Sequence, residues 1–297
     1  IYEPLGMNST SSRYANFLAQ PDRAALHVPV NGTWQSLYTR KPDAQSPAGG
    51  VSSTVLDMAT WMRMELSNGS YQGRQVVDAA TLGEANTAQI RRTPAGDPAM
   101  LPQFYGYGMN VSVDGTGRTQ LNHSGAFTAG AGTTVTMLPG SGLGIVVLTN
   151  GMSGVSEAIS LAFVDLVESG AVSRDWLALT GPILMAPYQA DPEFAAANRP
   201  SSPKPARSTS DLVGQYANDF YGRASVKRVS KGLALVMGPR HAAVPLRHWS
   251  GDRYVATLAT ENWPVQLWVD FTGSDPRASG LVLGDPADPT NVLSRIN

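Results

Sequence analysis

The chain has 297 residues, 42% of them apolar, and a formal net charge of −1 from 22 basic and 23 acidic side chains. That is enough for one large domain or two ordinary ones with a real core, and the scattered charge offers neither a nucleic-acid stripe nor a polybasic membrane patch. With no cysteine, disulfides, thiol nucleophiles and thiolate-bound zinc are excluded, and no apolar run is long enough to predict a transmembrane helix.

The opening "IYEPLGMNST" has no initiator Met and no signal peptide, and it reads as the middle of a longer chain. Further on, Val55, Met58, Ala59, Met62 and Leu66 recur at helical spacing. Thr54 and Asp57 form a capping-box-like start, and Asn68-Gly69 marks the stop. "QFYGYGMNVSV", "GTTVTML" and "LGIVVLTNG" alternate as strands do, and "SEAISLAFVDLVESG" returns to helix and ends at Gly170. Strands followed by helix predict an α+β layer, an antiparallel sheet with packed helices.

Residues 187–208, rich in Pro, Ala and Ser, read as a linker between a first domain over 1–186 and a second over 209–297. In the second, "ASVKRV", "LALVMG", "AVPLRHW", "RYVATLA", "VQLWVDF" and "GLVLG" are short strand candidates separated by turn signals. They predict a small all-β barrel or sandwich.

The chemistry centres on "LNHSGAF". If Leu121 to Phe127 is a strand, His123 and Gly125 face one side and Ser124 the other. Gly125 leaves a bare spot where another backbone or a substrate can approach, and His123 puts a titratable tip beside it. Taken alone, the triplet is more often a satisfied sheet histidine beside a bulge glycine.

Its context is more specific. "IYEPLGMNST", "SPAGGVSSTVLDMATWM", "YGYGMNV" and "NHSGAFTAGAGTTVTMLPGSGLGIVVLTNG" follow one another in an order that resembles the second half of the serine β-lactamase-like family. That family includes class C β-lactamases, penicillin-binding-protein-like D-Ala-D-Ala carboxypeptidases, D-aminopeptidases and esterases. The resemblance covers roughly residues 1–170, and beyond the linker "LVGQYANDFYG" and "LWVDFTGSDPRASGLVL" resemble the lipocalin-like β domain appended to many members.

The resemblance implies acyl transfer to a serine, with no metal or organic cofactor. It places His123-Ser124-Gly125 at the family's third motif, Lys-Thr-Gly in many members and His-x-Gly in others. His123 then stands where the motif's cation stands, favouring a carboxylate-bearing substrate or relaying a proton. Ser124 hydrogen-bonds substrate, the backbone N–H of Ala126 is one oxyanion-hole donor, and the strand pairs with an extended peptide. Histidine in place of lysine makes the charge depend on pH, which suits a peptidase or esterase better than a class C β-lactamase.

The family's Ser-x-x-Lys nucleophile and its Tyr-x-Asn lie upstream of the "PLGM" segment. Within this chain Ser201-Ser202-Pro203-Lys204 matches the first pattern, but Pro203 opposes the helical turn that brings Ser and Lys together. Tyr14-Ala15-Asn16 and Tyr216-Ala217-Asn218 match the second in the wrong places. The expectation is therefore a hydrolase whose nucleophile is supplied by the N-terminal half of the same polypeptide, outside this chain. The partners expected are a small-molecule or peptide substrate, with no nucleic acid and no membrane span. Family habit implies a periplasmic or secreted location. The rival from another class is a non-catalytic protein that binds ligand in the same groove.

Other patterns carry less. His27, His123, His241 and His248 lack metal-ligand spacing. The turn Pro139 to Gly144 joins two strands without a helix N-terminus behind it, so it reads as a hairpin and not as a phosphate loop. Trp249, Trp263 and Trp268 read as barrel core or rim, and five Asn-x-Ser/Thr sequons, among them Asn122-His123-Ser124, read as chance.

Overall fold

The structure is a computed structural model that describes residues 1–92, 102–189, 191–260 and 263–296; the side chains of Thr260 and Trp263 lie outside that description. The chain divides into two compact units, Ile1–Gln189 and Ala190–Asn297.

The first unit is built on a six-stranded antiparallel meander. Its strands are β1 (Ile90–Arg91), β2 (Phe104–Tyr105), β3 (Asn110–Val113), β4 (Thr119–Phe127), β5 (Ala131–Leu138) and β6 (Leu143–Thr149), paired in that order from one edge to the other. The β5–β6 connection is the expected hairpin, a 3₁₀ turn over Pro139–Ser141 closed by Gly142 in the left-handed region. The run from Gln103 to Val113 differs from its prediction as one strand, because it breaks into β2 and β3. At Gly106 a Cβ would lie 2.3 Å from the Ala85 carbonyl oxygen, and Gly108 has φ +112°, so the chain must turn there.

Helix α1 (Val55–Leu66) starts as expected: the Thr54 hydroxyl accepts the Asp57 N–H at 3.2 Å. Its Met62 packs with Met109, Leu121, Val135 and Met137 on one face of the sheet. Its Met64 joins Leu5, Met7 and Leu82, so the "PLGM" turn contributes core side chains around Gly6 at φ +68°. Helix α2 (Val155–Ser169) covers the opposite face and stops at Gly170, φ +77°. There the contact is made by small polar groups: Thr134 Oγ donates to the Ser156 carbonyl at 3.1 Å and lies 2.6 Å from Ser160 Oγ. At Gly132 a Cβ would lie 2.9 Å from Thr149 Oγ and 3.0 Å from Ser156 Oγ, so any side chain there would push its neighbours aside.

The second unit is a closed antiparallel barrel of eight strands, which settles the choice between barrel and sandwich. They are β7 (Gly214–Asn218), β8 (Gly222–Val229), β9 (Gly232–Met237), β10 (Ala242–Ser250), β11 (Arg253–Thr260), β12 (Trp263–Thr272), β13 (Gly280–Leu283) and β14 (Val292–Ile296). The first and last, absent from the sequence reading, close the ring by pairing with one another at Gln215–Ile296, Tyr216–Arg295 and Ala217–Ser294. The interior is filled by Tyr216, Leu235, Val269, Phe271, Leu281, Leu293 and their neighbours.

The segment read as a linker lies against this barrel. Phe194 is buried with Trp249, Val255 and Trp268, and Trp268 Nε1 donates to Glu193 at 2.6 Å. The two tryptophans therefore sit outside the main barrel core, roofed by their own chain.

Candidate functional site

Strand β4 carries the His-Ser-Gly motif, and its register explains why this part of the strand is accessible. On one side β5 pairs with it throughout, from Leu121–Met137 to Phe127–Ala131. On the other side β3 pairs only from Val113–Thr119 to Asn110–Asn122. Beyond Asn122 the chain of β3 has already turned away at the Gly106–Gly108 break. The β3-side edge of residues 123–127 is therefore unpaired by any strand among the described residues.

An open depression of about 530 Å³ lies at this place, lined by Ile90, Arg92, Tyr105, Asn110, His123 and Ser124. The row Ile90–Tyr105–Asn110–Asn122 runs across four strands by register. At the end of that row the Tyr105 hydroxyl meets His123 Nε2 at 3.0 Å, with the two rings edge to face at 5.9 Å. Arg92 Nη1 donates to Asn110 Oδ1, and Asn110 Nδ2 donates to Asn122 Oδ1 at 3.0 Å.

Ser124 reaches the depression from the other face of the strand. Its hydroxyl donates to Glu157 Oε1 at 2.7 Å, while Ser156 Oγ donates to Glu157 Oε2 at 2.9 Å. Glu157 stands in the first turn of α2, where a negative charge suits the helix dipole. This bond also ties β4 to α2, and it leaves the Ser124 oxygen free to accept.

Gly125 shares the His123 face, and its lack of a side chain has a local cause: a Cβ would lie 2.6 Å from Thr133 Oγ on the paired strand. Ala126 is opposite Gly132, and Phe127 ends the strand beneath the Arg40 guanidinium, 4.0 Å from the ring centroid. Arg40 also donates to the Gly49 carbonyl at 2.6 Å, which brings the short helical turn Ser46–Gly49 to the end of the motif strand.

The remaining sequence candidates do not join this site. Lys204 lies outside any helix or strand, its N–H on Ser250 Oγ at 3.0 Å, and no helical turn places it beside Ser201. Tyr216 is wholly buried in the barrel and donates to the Leu212 carbonyl. His248 Nε2 lies 2.9 Å from the Gly251 carbonyl oxygen. Among the described residues no group of three or more His, Asp or Glu side chains gathers as a metal site. Arg92, Tyr105, Asn110 and Glu157 escaped sequence reasoning; the register of the meander reveals the first three, and the packing of α2 on the sheet reveals Glu157.

A family model described as beta-lactamase matches residues 1–168. The chain belongs to the β-lactamase family. A second model, a domain of unknown function designated DUF3471, matches residues 198–292, which include the barrel strands up to the start of β14.

Among solved structures, the chain is similar to an octameric penicillin-binding protein homologue from Pyrococcus abyssi. The identity is 17% over 99% of this chain and 58% of that one, with a TM-score of 0.47. It is similar to SurE at 18% identity over 100% of this chain and 62% of that one, with a TM-score of 0.42. It also matches the C-terminal domain of a penicillin binding protein at 31% identity over 34% of this chain and 97% of that one, with a TM-score of 0.30. The chain thus spans about three fifths of the two structures it matches along its length. No curated protein matched it.

Proposed function

We propose that the complete polypeptide is a serine hydrolase that cleaves an amide or ester through an acyl-serine intermediate. The nucleophile and its lysine are supplied by sequence outside this chain. The observation that carries this reading is the unpaired edge of residues 123–127, opening on a depression lined by His123 and Ser124 within a β-lactamase-family domain.

An extended substrate lies along that edge and exchanges main-chain hydrogen bonds with it. His123, held by the Tyr105 hydroxyl, faces the substrate as the motif's cation or proton relay. Ser124 accepts from the substrate, and the Ala126 N–H, with the nucleophile's own N–H, receives the negative charge of the tetrahedral intermediate. The mechanism uses no metal or organic cofactor, and we place the protein in the periplasm or outside the cell. Among the described residues no helix is long and apolar enough to cross a membrane.

Two features support a nucleophile carried by further polypeptide. Strand β6 forms one edge of the sheet, and its sequence "LGIVVLT" has no Lys, Pro or other edge-blocking residue. A second depression of about 530 Å³ is lined by Ile1, Tyr2, Met7, Val51, Met58 and Trp61, nearly all apolar.

The test is exposure of the complete polypeptide to a penicillin, a fluorophosphonate and an activated ester, followed by intact mass. The reading expects a stoichiometric covalent adduct with at least one of them. Saturable ligand binding without an adduct or turnover is the result that belongs to the non-catalytic binder.

A further inference from the structure

We infer that Arg40 is a positioning residue for the reaction: it clamps Phe127 and thereby fixes the neighbouring Ala126 N–H, the proposed oxyanion donor. This rests on the hydrolase reading of the same strand. Ala126 is exposed and stands one residue before the end of β4, and among the described residues only β5 pairs with positions 123–127. Strand ends held from one side fray first, whereas a donor that meets a developing charge has to be in place before the charge forms.

Phe127 supplies a second anchor, and three groups surround its ring. The Arg40 guanidinium carbon lies over the aromatic face, 4.0 Å from the centroid. Gly49 passes the ring edge so closely that a Cβ there would lie 3.3 Å from Phe127 Cε1 and 3.2 Å from Arg40 Nη2. On β4 itself, the Cβ that Gly125 lacks would lie 3.5 Å from Phe127 Cε2, so the ring lies alongside Gly125 on the face that also carries His123.

Arg40 is held in turn. Its Nη1 donates to the Gly49 carbonyl at 2.6 Å. The turn Ser46–Gly49 is tied to the chain that follows "PLGM": Ser46 Oγ donates to the Ser12 carbonyl at 2.6 Å, and Ser11 and Ser52 exchange backbone bonds at 3.0 and 2.9 Å. Contacts therefore run without a gap from that segment through Gly49, Arg40 and Phe127 to Ala126. A guanidinium can stack on a ring with its plane and donate sideways from its edge; an ammonium does one or the other.

The experiment measures acylation of the complete polypeptide by one activated ester in rapid-mixing kinetics. It yields the acylation rate at saturation and the ester concentration that half-saturates it. Arg40→Met is expected to lower the saturating rate about tenfold to a hundredfold and to move half-saturation by less than about twofold, with Arg40→Lys in between. Phe127→Leu is expected to act in the same direction. Adding Arg40→Met to Phe127→Leu then costs less than about a further twofold, because the arginine acts through the ring. Matched thermal midpoints establish that the variants are folded, and Arg40→Lys carries the test if Arg40→Met is not. An unchanged acylation rate, a loss confined to half-saturation, or losses that multiply in the double variant overturns the assignment.

If the wild-type polypeptide forms no acyl-enzyme, the hydrolase reading fails and amide hydrogen exchange decides about the clamp. Faster exchange over residues 123–130 in Arg40→Met, with exchange over 143–149 unchanged, supports it. Unchanged exchange over residues 123–130 overturns it.

Discussion

The two units finish their sheets differently. In the barrel every strand has two neighbours, because β7 and β14 pair with one another, and the apolar side chains point into a filled interior. The six-stranded sheet keeps two edges, and apolar side chains near it stay exposed: Leu143 at the start of β6 is 45% exposed and Leu56 on α1 is 77% exposed. A closed barrel satisfies its own backbone, whereas an open sheet offers unpaired N–H and C=O groups to whatever comes next. The unpaired edge at His123 and the apolar edge at β6 are both consequences of the open plan. Closure provides stability by itself; openness leaves edges that, on the proposed reading, take substrate and more chain.

The contrast is broken most directly by truncating apolar side chains in each unit. Leu235→Ala, at a fully buried barrel position, is expected to cost about 2–5 kcal/mol in urea unfolding. Leu143→Ala is expected to cost under about 0.5 kcal/mol in this chain. Equal costs at the two sites would mean that the edge of β6 is covered after all.

A second effect, on activity, concerns the open edge of β4. In the complete polypeptide His123→Ala is expected to lower kcat/KM by about a hundredfold or more. Tyr105→Phe, which removes only one neutral hydrogen bond, is expected to lower it by about tenfold or less. If Tyr105→Phe proves as damaging as His123→Ala, the phenol has a direct role in the chemistry that the present geometry does not give it.

The smallest effect is one of pH. Burial raises the Glu65 carboxyl above its ordinary value, and the hydrogen bond from Asn86, at 3.0 Å, opposes that shift. The folded state therefore holds the Glu65 proton more tightly than the unfolded chain does. Its contribution to stability is largest at acid pH and is lost as pH rises from the ordinary carboxylate range through the raised value. Glu65→Gln is expected to flatten this decline in thermal midpoints recorded between about pH 4 and pH 7; an unaltered slope would show that another group is responsible.

Much of this architecture was legible because local rules and tertiary structure agree. The period-two runs in "GTTVTML" and "LGIVVLT" are strands β5 and β6, Thr54 caps α1, and Gly170 in the left-handed region ends α2. Strands β7 and β14 were not legible, because five-residue segments such as "GQYAN" and "VLSRI" have little alternation and become strands by pairing with each other.

Of the candidate site, His123, Ser124, Gly125 and Ala126 are legible as a contiguous motif, and the first two of them line the depression. Tyr105 was missed because it lies eighteen residues from His123 and reaches it only after the glycine-broken turn. Arg92 and Glu157 have no local pattern of their own; they reach the site through sheet register and helix packing, neither of which leaves a short sequence signature.

The most direct test of the central claim is to locate the acylated residue. The complete polypeptide is labelled with a penicillin or fluorophosphonate, digested, and mapped by mass spectrometry. The account predicts one modified serine, in a Ser-x-x-Lys sequence outside these 297 residues, with labelling slowed by His123→Ala. A label on Ser124 or on any other serine of this chain, or no label at all, would contradict it.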